Sequence, residues 1–97
     1  MNKTEMAKKL AKKTGLTQSQ ASDVVDCIFS ADPGSGIIAV ELDAGRKVTI
    51  GGFGTFETRR RSARQGRNPR TGQTITIAAK TYPAFKPAKG LKDRVAD

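Results

Sequence analysis

Ninety-seven residues with 18 Lys and Arg against 9 Asp and Glu, a net charge of +9, describe one small basic domain whose partners are polyanions. With no His and one Cys, a Cys/His zinc site, a Ser-His-Asp triad and a Cys-His pair are excluded, and no metal or cofactor is expected. No apolar run approaches the roughly 20 residues of a membrane span, and Met1-Asn2-Lys3-Thr4-Glu5 lacks a signal-peptide apolar stretch, so a reducing, soluble compartment is expected.

The chain opens on a helix signal. Asn2 followed three residues later by Glu5 reads as a capping pair; Met6, Leu10 and Ala11 recur on one face, and Gly15 stops the helix. Leu16-Thr17-Gln18-Ser19-Gln20 repeats the signal, with Thr17 as cap, Gln20 at the third position and Leu16 placed to staple against Ala21. The second helix is expected to bury Val24, Val25, Ile28 and Phe29, with Cys27 as a small core hydrophobe. Two short helices packed as a hairpin result.

Asp32-Pro33-Gly34-Ser35-Gly36 then breaks the pattern, because proline removes a backbone donor and glycine is a poor helix former. Apolar residues resume at Ile37, Ile38, Val40 and Leu42. If residues 31–36 loop out, Phe29, Ile38 and Leu42 fall at helical spacings of three and four. If they stay helical, the face turns by about 240°. A bulge inserted into an otherwise ordinary helix fits better.

Lys47-Val48-Thr49-Ile50 alternates as a half-buried strand. Gly51-Gly52-Phe53-Gly54-Thr55-Phe56 fits neither a dinucleotide fingerprint nor a P-loop. It reads as a tight turn, with Phe53 and Phe56 in the core. A second strand starts at Thr55, and a third runs through Gln73-Thr74-Ile75-Thr76-Ile77-Ala78. Between them, Arg59 to Gly72 has almost no large apolar residue and holds the turn signals Asn68-Pro69 and Thr71-Gly72. The expected product is a ribbon projecting from the body, lined with arginine, tipped by Pro69 and mobile until it meets a ligand.

From Thr58 to Lys92 there are ten basic residues and no acidic one. Such a run points to nucleic acid, since guanidinium groups neutralise phosphates and fit a narrow minor groove. A metal-dependent nuclease would need carboxylates in this segment, so no enzymatic activity is expected. The segment also lacks stacking aromatics, Tyr82 being the only Tyr in a chain without Trp, which argues against a single-strand reader. At the tip, Pro69 either wedges between base pairs or only shapes the turn, and the residues by themselves leave both open.

Met1-Asn2-Lys3-Thr4-Glu5, Gly52-Phe53-Gly54-Thr55-Phe56, Gly66-Arg67-Asn68-Pro69 with Thr71-Gly72, and Pro83-Ala84-Phe85 followed by Leu91-Lys92-Asp93 occur in an order that resembles the HU/IHF histone-like proteins of bacteria over nearly the whole chain. The resemblance implies an α+β fold: a helical-hairpin base, a three-stranded antiparallel sheet with a long protruding β-ribbon arm, a short C-terminal helix, and an intertwined dimer. The chain would be a single domain over 1–97, with the arm at about 57–81 and an inserted loop at about 31–36. Members bind the minor groove with apolar wedges. By position, Arg59, Arg61, Arg64 and Arg67 match basic arm residues and Pro69 matches the intercalating proline; Arg60, Asn68, Arg70 and Lys80 in the same arm are expected to contact DNA with them. Lys86, Lys89 and Lys92 match the basic start of the last helix, and Lys3 a phosphate-contacting position. Two departures stand out: the six inserted residues, and Pro87-Ala88 where the family more often has a small capping residue and glycine.

The function expected is architectural. A homodimer would bend, wrap and compact duplex DNA in the bacterial nucleoid with low sequence specificity, engaging no membrane and no small-molecule substrate. An IHF-like subunit preferring defined sites is the first alternative, and an RNA-binding or ribosome-associated basic protein the second.

Overall fold

The computed structural model describes residues 1–96, which fall into two compact units, the first spanning Met1–Ala44 and the second beginning at Gly45.

The first unit holds α1 (Lys3–Thr14), α2 (Gln18–Phe29) and α3 (Ile37–Asp43). Its local signals act as the sequence implies. Asn2 Oδ1 accepts from the Glu5 amide at 2.9 Å. Gly15 closes α1 with φ 75, its N–H donating to the Ala11 carbonyl at 3.0 Å. Thr17 and Gln20 form a full capping box, with bonds of 3.1 and 3.0 Å in the two directions. The core is small: Ala7, Ala21 and Val25 are buried, with Leu10 and Ala11 packed against them.

The expected burial of α2 holds only for that one stripe. Val24 and Phe29 are 39% and 45% exposed, Ile28 is half-buried, and Cys27 is exposed rather than in the core. Cys27 borders an open concavity shared with Ile37 and Val40 of α3, so that flank of α2 is only partly covered. After Phe29 the chain leaves the helix, and α3 starts only at Ile37. The excursion closes on itself. Gly36 has φ 82, and a side chain there would overlap the Ser30 carbonyl. Ser30 and Gly36 therefore abut, and residues 31–35 form a loop whose two ends touch.

In the second unit, β1 (Val48–Ile50), β2 (Gly54–Arg61) and β5 (Lys80–Pro87) make an antiparallel sheet in the order β1-β2-β5. The β1–β2 turn is closed by the Phe53 amide donating to the Ile50 carbonyl at 2.9 Å. Pro83 and Pro87 are accommodated because β5 lies at an edge, where a missing donor costs no ladder bond. Phe85 packs on Phe56 and Phe53 with ring centroids at 4.9 and 5.8 Å. Gly54 is buried beneath it, in a place where an added Cβ would lie 2.5 Å from the Phe85 ring and 2.8 Å from the Lys86 carbonyl. The aromatic cluster is not a closed core, since Phe53 and Phe85 stay 48% and 40% exposed.

The arm is divided. Beyond Arg61 and Lys80, two residues on each side leave the ladder, at 62–63 and 78–79, and a separate ribbon of β3 (Arg64–Arg67) and β4 (Thr74–Ile77) follows. The expected third strand, Gln73 to Ala78, is found as β4, and a further strand that the sequence pattern did not mark, β5, begins after the break. Both breaks fall on small residues, Ser62-Ala63 and Ala78-Ala79, which offer no cross-strand side-chain pair to hold the ladder. Helix α4 (Lys89–Val95) starts without a side-chain cap at Ala88. The Ala88 amide instead donates to the Phe53 carbonyl at 2.9 Å, tying the start of α4 to the β1–β2 turn.

Candidate nucleic-acid interface

Directly opposed residues of an antiparallel pair point to the same face, and successive residues alternate. The register Thr55↔Lys86, Glu57↔Ala84, Arg59↔Tyr82 and Arg61↔Lys80 therefore assembles one polar, basic face. The other face takes Phe56↔Phe85, Thr58↔Pro83 and Arg60↔Thr81, with Val48 beside Phe56. One side of the sheet is cationic and the other apolar. Arg59, Arg61, Lys80 and Lys86 are brought together by this geometry, whereas Arg60 stands on the apolar side.

The cationic face contains one acid. Glu57, its side chain 14% exposed, accepts from Arg59 at 3.1 Å and pairs with Lys47 at 3.6 Å. The Arg59 hydrogen bond, opposed by partial desolvation and helped by the charges of Arg59 and Lys47, holds the Glu57 carboxyl below its usual range. Next to this triplet the Thr49 and Thr55 hydroxyls lie 3.3 Å apart. Lys86, Lys89 and Lys92 border one open concavity with these threonines, so the basic start of α4 and the sheet face are continuous.

On the arm, β3 and β4 again present two faces. Arg64↔Ile77 and Gly66↔Ile75 share one, while Gln65↔Thr76 and Arg67↔Thr74 share the other. Arg64 and Arg67 thus project oppositely. Ile77 and Ile75 fold over Gly66, where an added Cβ would meet Ile77 Cδ1 at 2.9 Å. This gives the arm an apolar strip that the sequence reading did not draw from the Thr-Ile-Thr-Ile alternation.

The tip is organised by Asn68. Its carbonyl accepts from Gly72 at 2.7 Å, its amide donates to the Gln73 carbonyl at 2.8 Å, and its Oδ1 accepts from the Arg70 amide at 2.9 Å. Asn68 is half-buried and occupied by the loop itself. Pro69 and Arg70 are exposed beside it.

In the first unit, Lys3 donates to Asp26 at 3.1 Å, both side chains well exposed. The place of Lys47, Glu57 and Tyr82 on the basic face was not foreseen from the sequence. The alternation Thr55, Glu57, Arg59, Arg61 would have found Glu57, but the other two need the register.

Among the described residues no group of His, Cys, Asp and Glu could hold a metal ion, and no helix is long and apolar enough to cross a membrane. The family model for bacterial DNA-binding protein matches residues 1–96. The chain is 50% identical over 95 residues to the SPbeta prophage-derived DNA-binding protein HU 2 of Bacillus subtilis, covering 98% of this chain and 97% of that one. It is 46% identical over 95 residues to DNA-binding protein HU of Geobacillus stearothermophilus, covering 98% and 99%. Among solved structures, it is similar to HU in the Anabaena HU–DNA cocrystal, with a TM-score of 0.83 and 40% identity over 99% of this chain and 98% of that one. An HU mutant from Thermotoga maritima matches with a TM-score of 0.68 and 31% identity over 99% and 100%.

Proposed function

Because the chain belongs to the HU family of bacterial DNA-binding proteins, we propose that it bends, wraps and compacts duplex DNA as a homodimer with low sequence specificity. Duplex DNA is its ligand, its role is architectural rather than enzymatic, and the nucleoid is where such a protein works. The observation that carries the reading is the two-faced sheet continuing into an arm. One side gathers Arg59, Arg61, Lys80 and Lys86, and the arm beyond presents Arg64, Arg67 and Arg70 with no carboxylate among them.

These side chains neutralise phosphates and carry little base information, which is the physical source of low specificity. Lys89 and Lys92 extend the basic face, and Lys3 adds a contact that exchanges Asp26 for phosphate. Arg60, on the apolar side, contributes by long-range attraction only. Asn68 shapes the tip, and the exposed Pro69 ring enters a base step once the arginines have docked the arm. Dimerisation is supported by the exposed apolar surface at Phe29, Ile37, Ile50, Phe53 and Phe85, too extensive to leave in water on a chain of this size.

The test is the bend. Energy transfer between labelled duplex ends at saturating protein should report a bent duplex for the parent and a substantially straighter one for Pro69→Ala, with affinity for straight duplex changed by less than about threefold, because unstacking and docking are separate steps. A Pro69→Ala protein that bends DNA as far as the parent would assign Pro69 to turn shape alone. Equal affinity for scrambled duplexes separates this reading from a site-preferring, IHF-like one.

A further inference from the structure

Tyr82 is the single tyrosine of a chain without tryptophan, and it sits half-buried in the middle of the basic sheet face. It lies directly across from Arg59 and diagonally from Arg61, whose guanidinium carbon is 5.2 Å from the centre of the Tyr82 ring. Arg61 in turn faces Lys80 across the strands. Two like charges directly opposed on an antiparallel pair are destabilising. Neither is relieved by a carboxylate among the described residues, since Glu57 is taken by Arg59 and Lys47. Arg61, Lys80 and Tyr82 together line a shallow concavity where the sheet passes into the arm.

The two neighbouring arginines are held in different ways. Arg59 spends a guanidinium nitrogen and its charge on Glu57. Arg61 instead lies over the Tyr82 ring, a contact that uses none of its N–H donors in an ion pair and leaves them open to a bidentate acceptor. An aromatic ring attracts the cation without neutralising it. A pair of uncompensated cations side by side, one of them resting over an aromatic ring, suits a phosphodiester, whose two non-bridging oxygens share one negative charge. We propose that Arg61, Lys80 and Tyr82 form one preorganised phosphate site at the root of the arm, in which the Tyr82 ring holds the Arg61 guanidinium ready for a backbone phosphate of the duplex. Tyr82 is a positioning residue: it acts through Arg61. The assignment rests on the DNA-binding reading and adds to it a residue that composition alone would class as an inert strand aromatic.

A double-mutant cycle on a labelled straight duplex tests this. Tyr82→Phe keeps the ring and should bind within about twofold of the parent, whereas Tyr82→Val should bind about three- to tenfold more weakly. In an Arg61→Ala background the same Tyr82→Val change should add less than about twofold, because the group it positions is gone. The salt slope should be unchanged in Tyr82→Val and reduced by about 1 for each Arg61→Ala contact removed. Parent-like binding by Tyr82→Val overturns the site, and so does a loss of equal size in both backgrounds, which would mean that the ring acts without Arg61. If Tyr82→Val lowers the melting temperature too far to be read, Arg61→Lys takes its place. That change keeps the charge but not the planar group, so the same loss of about three- to tenfold is expected, and undiminished binding overturns the proposal. A parent chain that does not shift the duplex at all removes the DNA-binding reading itself, whereas parent binding with an indifferent Tyr82 removes only the phosphate site.

Discussion

The β2–β5 sheet and the β3–β4 ribbon are stretches of one hairpin, yet they are held by different forces. The sheet is backed by Phe56 and Phe85 on one side and crossed by the Lys47–Glu57–Arg59 ion pairs on the other. The ribbon has only its backbone ladder, two isoleucines folded over Gly66, and the bonds that Asn68 makes at the tip. A ladder bond contributes little net stability when water can replace it, so apolar packing decides which part is stiff. The difference teaches that cations can be set in place before the ligand arrives only where side chains pack beneath them. Farther out, the arginines of the ribbon have no such packing beneath them.

The strongest way to break that comparison is through two glycines. At Gly54 an added Cβ meets the Phe85 ring and the fixed Lys86 carbonyl, so Gly54→Ala should destabilise folding by about 2–4 kcal/mol in a denaturant melt. At Gly66 the obstacle is the free end of Ile77, which can swing aside, so Gly66→Ala should cost less than about 1 kcal/mol. Equal losses at the two sites would mean that the ribbon is as tightly packed as the sheet.

A smaller effect, on binding alone, is expected from Arg64→Ala with Arg67→Ala. These side chains project from opposite faces of a ribbon that contributes nothing to the core. The melting temperature should stay within about 2 °C of the parent, while duplex affinity falls on the order of 10- to 100-fold for every sequence tested, with a shallower salt dependence. A loss confined to one sequence would favour site reading over architectural binding.

The smallest effect concerns Glu57. Its folded-state pKa is lowered, so its ion pairs stabilise the protein above the usual carboxylate pKa, and that contribution is lost as pH falls through the lowered folded value. Thermal melts from neutral to acid pH should therefore show Glu57→Gln converging on the parent as pH falls through and below the ordinary carboxylate range, from a small gap near neutrality, because the pairs are partly solvated. A gap that persists in acid would indicate a packing role for Glu57 instead of a charge role.

Much of this was legible in the chain itself. Asn2, Gly15, Thr17 and Gln20 determine where α1 and α2 begin and end, because caps are bonds between residues at most four apart. The alternation from Val48 to Ile50 and the turn residues around Pro69 likewise act locally, and so does the break at 31–36. The sequence pattern also located the arm, since a run without large apolar residues cannot be buried. Tertiary structure decided the rest. The register of β2 against β5 put Arg60 on the apolar side, paired Arg61 with Lys80 and laid Arg61 over Tyr82, choices that a slip of one residue would have reversed. It added β5 beyond the expected third strand, and it left Val24, Cys27 and Phe29 exposed because burial depends on which neighbour arrives, not on how apolar a residue is. Bonds within a turn of helix can be read from spacing alone, whereas cross-strand partners and buried faces are set by the packing of segments that lie far apart in the chain.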